Sequence, residues 1–140
     1  MDGRREVKSE PWSQATITTA RCIRPFCYVA SPYTRFLGGH EEAYRQVCQA
    51  AAWLVKQKIR VYCPVSHTHG LTYFGGLDPF DYAIWNPLNE PFMVLSGAMI
   101  LVKMAGYEAS DGIRQENEYF CAAHKPVFML DWPHPENANQ

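Results

Sequence analysis

The sequence predicts a three-layer α/β sandwich around a mostly parallel sheet of four or five strands. Three observations carry that expectation. Short apolar runs alternate with segments of helical period, as βαβ units do. The strongest run, Ala98-Met99-Ile100-Leu101-Val102, is apolar at every position and so reads as a strand buried on both faces. With 140 residues, 47% of them apolar, the chain is long enough for one hydrophobic core and too short for two.

Each element has its own warrant. Residues 1–23 are expected to form a flexible N-terminal arm, because Met1 to about Ala20 is polar, charged and without period. Phe26-Cys27-Tyr28-Val29-Ala30, ended by Ser31-Pro32, reads as the first strand. After Gly38-Gly39, apolar residues recur at Ala43, Val47, Ala50, Ala51, Leu54 and Val55, which predicts a helix from about His40 to Gln57. Ile59 to Val65 reads as the second strand. Ser66 to Trp85 has no sustained period and is expected to be a functional loop or lid, with a short turn from Pro79 to Ile84. Pro87 to Ser96 opens a helix with proline in its first turns. Ala98 to Val102 follows as a strand. Ser110 or Asp111 caps a helix running to about His124, and Lys125 to Leu130 supplies the last strand. Residues 24–131 therefore form the expected domain, of flavodoxin or Rossmann-like architecture, and 132–140 an irregular tail. In such a sheet, ligands bind beyond the carboxyl ends of the strands.

Composition narrows the partners. Thirteen Lys and Arg against fourteen Asp and Glu leave a net charge of −1, with no basic field to hold a nucleic-acid polymer. No apolar run approaches the roughly 20 residues that span a bilayer, and the charged start lacks the apolar core of a signal peptide. The expectation is a cytoplasmic protein with no membrane partner. Cys22, Cys27, Cys48, Cys63 and Cys121 form an odd set without a C-x-x-C pair, which suits reduced thiols better than a disulfide framework or zinc ribbon.

Glu116 breaks the helical pattern. It lies three residues after Ile113 and four before Phe120, on the apolar stripe they share. A carboxylate there is paired, at the margin of the stripe, or kept for chemistry, since an unpartnered buried ion costs several kcal/mol. Glu118 points elsewhere and reads as a surface charge.

The segment Ser110-Asp111-Gly112-Ile113-Arg114-Gln115-Glu116, followed by Lys125-Pro126-Val127, resembles the signature of the nucleoside 2-deoxyribosyltransferase-like superfamily. That group includes deoxyribosyltransferases and 2′-deoxynucleoside 5′-monophosphate N-glycosidases. Tyr28-Val29-Ala30-Ser31-Pro32-Tyr33 resembles its first strand and sugar-site loop. Val61 to His69 is similar to a segment of a poorly characterised bacterial and phage branch. The resemblance covers about Phe26 to Leu130.

It implies that Glu116 is a nucleophile toward the anomeric carbon and that Tyr28 holds it in an attacking orientation. Where the family usually carries an Asp contacting sugar and base, this chain has Glu90; Asp81 or Asp78 is the alternative. Ser31 belongs to the sugar-site loop. Ser110 with the amides of Asp111 and Gly112 reads as an anion cradle, with Arg35 as a fixed positive charge, which favours a 5′-monophosphate. His67 and His69 line the pocket or donate protons; three well-spaced metal ligands are not evident, so neither metal nor cofactor is expected. Trp85, Tyr73, Phe74 and Phe80 can stack on a base.

The implied activity is cleavage of the base–sugar bond of a (deoxy)nucleoside 5′-monophosphate. Base exchange between nucleosides and a nucleotide-binding module without catalysis are the alternatives. The expected partner is a small nucleotide or nucleoside, and the expected assembly a homodimer or higher homo-oligomer.

Overall fold

The computed structural model describes residues 10–133. Five parallel strands form one sheet: β1 (Glu10–Pro11), β2 (Cys27–Ala30), β3 (Val61–Tyr62), β4 (Ala98–Lys103) and β5 (Val127–Asp131), in the order β1-β5-β4-β2-β3. Five helices accompany them: α1 (Gln14–Arg21), α2 (His40–Lys56), α3 (Pro64–Tyr73), α4 (Tyr82–Leu95) and α5 (Asp111–Ala122).

The alternation of side chains along the strands divides the interior in two. Cys27, Val29, Ala98, Ile100, Val102, Phe128 and Leu130 face α1 and α2, meeting Ile17, Ala20, Val47 and Leu54. Tyr28, Ala30, Met99, Leu101 and Val127 point the opposite way, toward Ile113 and Phe120 of α5, with Phe92 and Met93 of α4 packed against them. The result is the expected three-layer α/β sandwich. Residues 98–102 of β4 are buried, as their unbroken apolar run requires.

The sheet also fixes where a ligand fits. From β2 the chain moves outward to β3 on one side, then crosses back to β4 on the other. The direction of winding therefore reverses between β2 and β4, and in open α/β sheets this reversal opens a crevice beyond the strand ends.

Three elements differ from the sequence expectation. The arm expected over residues 1–23 does not hold for residues 10–21. Ser13 closes a capping box with Thr16, Ile17 and Ala20 are buried, and Trp12 meets Trp53 with ring centroids 5.9 Å apart. A helix of 8 residues shows too little periodicity to be seen without its partner, and packing supplies its stability. Glu10 and Pro11 add an edge strand beside Phe128 and Met129, a place where proline is tolerated. Residues 1–9 of the expected arm, and 134–140 of the expected tail, lie outside the described residues.

The expected loop from Ser66 is instead largely helical. Pro64 starts α3, where a proline costs no hydrogen bond. Helix α4 begins at Tyr82 rather than Pro87, so Pro87 and Pro91 lie inside it. Both prolines are exposed, and water can reach the carbonyls they leave unpaired. The second strand is the short pair Val61–Tyr62, because Pro64 ends the ladder.

Candidate active site between β2, α4 and α5

Helix α5 brings its chemistry to the sheet through its first turns. Ser110 is the N-cap, its Oγ accepting from the Ile113 N–H at 3.3 Å. Gly112 has no side chain, and a Cβ placed there would stand 3.9 Å from both Glu116 Oε1 and Ser110 Oγ. Glu116 follows one turn later on the same face. The missing side chain leaves space directly beside the carboxylate.

Glu116 is half-buried and faces Tyr28, which is 1% exposed on β2. Desolvation pushes the Glu116 carboxyl up to about 7, while the hydrogen bond donated by the Tyr28 hydroxyl pulls the other way. Burial raises the Tyr28 phenol above its ordinary value, and the neighbouring Glu116 charge raises it further. The pair thus keeps Tyr28 a neutral donor and holds the carboxyl near the midpoint of its ionisation at neutral pH.

A cavity of about 340 Å³ opens above this pair. It falls within the size range of small-molecule sites. Tyr28, Gly112 and Glu116 line it from the sheet and α5, with Ser110 and Ser31 beside them. Helix α4 contributes Trp85, Asn86, Asn89, Glu90 and Met93 at helical spacing. Trp85 is buried and its indole Nε1 donates to the Asp78 carbonyl at 2.8 Å, tying the α3–α4 connection to the cavity wall. Among the described residues, two polar atoms at the cavity, Ser31 Oγ and Asn89 Oδ1, are buried without a hydrogen-bond partner. A buried polar atom left unpaired is costly, and a bound polar molecule would satisfy both.

Seven sequence-predicted residues therefore share one cavity: Tyr28, Ser31, Trp85, Glu90, Ser110, Gly112 and Glu116. Glu90 is exposed at its rim. The others lie apart from the lining. Arg35 borders an adjoining crevice of about 130 Å³ and pairs with Asp111 at 3.7 Å. Asp111 also holds Arg114 at 3.1 Å. His67 is exposed, and Asp81 precedes α4 without making a side-chain cap. His69 is buried behind the wall, its Nδ1 2.6 Å from the Tyr33 hydroxyl. Among the described residues, no group of three His, Cys, Asp or Glu gathers at metal-binding spacing. Tyr73, Phe74 and Phe80 are exposed, outside the lining.

Sequence reading missed Asn86 and Asn89, and it placed Tyr33 in the sugar-site loop without its partner His69. A signal for the asparagines existed: with α4 begun at Tyr82, Trp85, Asn86, Asn89, Glu90 and Met93 form one continuous stripe. The Tyr33–His69 pairing gave no such signal, since the two residues are 36 apart in sequence.

Among the described residues, no helix is long and apolar enough to cross a membrane. No curated protein matches the chain. Residues 25–132, which hold β2 to β5 and the whole cavity, match the family described as a domain of unknown function, DUF1937, and the chain belongs to that family.

Proposed function

We propose that the chain cleaves the N-glycosidic bond of a nucleoside or its 5′-monophosphate, with Glu116 as nucleophile, as its resemblance to the nucleoside deoxyribosyltransferase-like superfamily implies. The observation that supports this most is the Tyr28–Glu116 pair in the cavity, with Glu116 held at about 7. Cleavage passes through a cationic, oxocarbenium-like sugar, which an adjacent carboxylate stabilises and then captures. Tyr28 orients the carboxylate, the open space beside Gly112 admits the anomeric carbon, and Trp85 offers a ring to the base. Water resolving the glycosyl-enzyme gives hydrolysis; a second base gives exchange.

The charge of the lining bears on the substrate. Glu90 and Glu116 line the cavity, and its described lining holds no Lys, Arg or His. That favours an uncharged sugar and base within it. A 5′-phosphate would have to reach the Arg35 crevice, which adjoins the cavity at Ser110.

Release of free base from a panel of nucleosides, deoxynucleosides and their monophosphates, followed by mass spectrometry, tests the proposal. Glu116→Gln should abolish release. Full activity in that variant overturns the nucleophile assignment, and nucleotide binding without turnover favours a binding module.

The same resemblance implies a homodimer or higher homo-oligomer. Exposed Tyr73, Phe74 and Phe80 support a contact between subunits. Sedimentation equilibrium measures the assembly.

A further inference from the structure

Glycosidic cleavage needs a proton for the departing base, and Glu116, as nucleophile, cannot supply it. The geometry points to Tyr33 as the acid that protonates the leaving base, with His69 behind it as the positioning residue that exchanges its proton. This assignment rests on the glycosidase reading above.

Tyr33 follows β2 and is one of the residues that line the cavity. Its hydroxyl lies 2.6 Å from His69 Nδ1, the short end of hydrogen-bond distances. Both rings are fixed. Tyr33 stacks on His40 at 4.7 Å, and His40 Nε2 is 3.0 Å from the Thr34 carbonyl. His69 stacks on Tyr44 of α2 at 4.3 Å and on Tyr73 of α3 at 5.9 Å. Tyr44 in turn meets Cys48. The titratable groups against His69 are thus Tyr33, Tyr44 and Tyr73, and aromatic faces tolerate an imidazolium.

The direction of the Tyr33–His69 hydrogen bond decides what the cavity meets. In its Nε2–H tautomer, neutral His69 accepts at Nδ1, and the Tyr33 proton points toward the imidazole and away from the ligand. Protonated His69 donates from Nδ1 to the phenol oxygen, which frees the Tyr33 proton for the cavity. In the first step the Glu116 carboxylate bonds to the anomeric carbon and the carbon–nitrogen bond breaks. The base takes the Tyr33 proton as Tyr33 takes one from His69. In the second step, water attacks the anomeric carbon and the bond to Glu116 breaks. The water proton passes to Tyr33, and the Tyr33 proton returns to His69. Over the cycle the base gains one hydrogen, the sugar gains a hydroxyl, and the protein is unchanged. Other groups fit less well. The Tyr28 hydroxyl faces Glu116, and, among the described residues, Ser31 Oγ has no hydrogen-bond partner from which to recover a proton. Burial raises the Tyr33 phenol, so it gives up its proton only as His69 supplies another.

The test separates proton donation from nucleophilic attack by leaving group. Ordinary nucleosides need protonation. The 4-nitrophenyl glycoside of the same sugar, and 7-methylguanosine with its cationic base, do not. Tyr33→Phe should lower kcat on nucleosides about 100-fold or more, yet change cleavage of at least one of the other two substrates by less than about 5-fold. Glu116→Gln should lose all of them. His69→Gln keeps a polar neighbour for Tyr33 but cannot carry the proton. It should lower kcat on nucleosides about 10-fold with KM within about 2-fold. Equal losses on every substrate in Tyr33→Phe, or nucleoside cleavage within about 3-fold of wild type, overturn the Tyr33 assignment. A loss confined to KM in His69→Gln overturns the role of His69. No base release by the wild-type protein from any substrate overturns the glycosidase reading itself, and this assignment with it.

Discussion

Tyr28 on the sheet and Glu116 on the helix above it share one hydrogen bond, and that contact joins the core to the cavity. Glu116 costs the fold stability, because burial holds its carboxyl at about 7. Below its ordinary value both folded and unfolded chains are protonated and nothing is lost. As pH rises toward 7, the unfolded chain ionises first, so wild-type stability falls relative to Glu116→Gln and then levels off. The expected outcome is equal melting temperatures for the two proteins at pH 4. Above pH 7 the Gln variant should be more stable by on the order of 2 kcal/mol. Thermal unfolding across pH checks it. On the glycosidase reading, ionisation of Glu116 should give wild-type kcat/KM an acid limb near pH 7, and the need for a protonated His69 an opposing limb at higher pH.

Tyr28→Phe keeps the ring in its packing against Phe120 and Tyr62 and removes only the hydroxyl. That hydroxyl favours the charged form of Glu116, so its loss should move the acid limb of the pH–rate profile to higher pH. Stability should fall by about 1–2 kcal/mol at pH 8, where Glu116 is ionised, and by less at pH 5. A pH–rate profile and denaturant titrations at the two pH values check both. An unmoved limb would mean that Tyr28 merely packs.

These two residues also mark what was legible in the sequence. Glu116 was visible because a carboxylate on the Ile113–Phe120 stripe violates helical patterning, and β4 because its run is apolar throughout. Helix α1 was not, since its stability comes from Trp53 and the sheet rather than from its own sequence. The start of α4 was hidden by Pro87 and Pro91, which read as a helix beginning. That boundary concealed Asn86 and Asn89 as part of the cavity. The Tyr33–His69 contact joins a loop to a helix packed against α2, and local sequence carries no trace of it.

Arg35 tests the charge of the substrate. Its side chain is 71% exposed and its pairing with Asp111 spans 3.7 Å, so Arg35→Ala should leave stability within about 0.5 kcal/mol of wild type. For a neutral nucleoside, which stays within the cavity, KM should change less than about 2-fold, because no Arg35 contact is involved. For a 5′-monophosphate reaching the crevice, KM should rise about 10-fold through loss of a charge-assisted hydrogen bond. Initial rates on a matched nucleoside and monophosphate pair check it. Equal effects on both would remove Arg35 from phosphate recognition.

Gly112 separates folding from function. An added methyl would stand at ordinary contact distance, 3.9 Å from Glu116 Oε1 and from Ser110 Oγ, so Gly112→Ala meets no clash. Alanine favours the helix by up to about 1 kcal/mol over glycine, and the melting temperature should hold or rise. On the glycosidase reading, the methyl would nonetheless occupy the space through which the anomeric carbon approaches Glu116. A misplacement of about 1 Å can cost 100-fold in rate, so kcat/KM should fall at least about 10-fold while the fold gains. Calorimetry alongside base-release kinetics checks the pair of effects. Undiminished activity with raised stability would show that the substrate does not approach over Gly112.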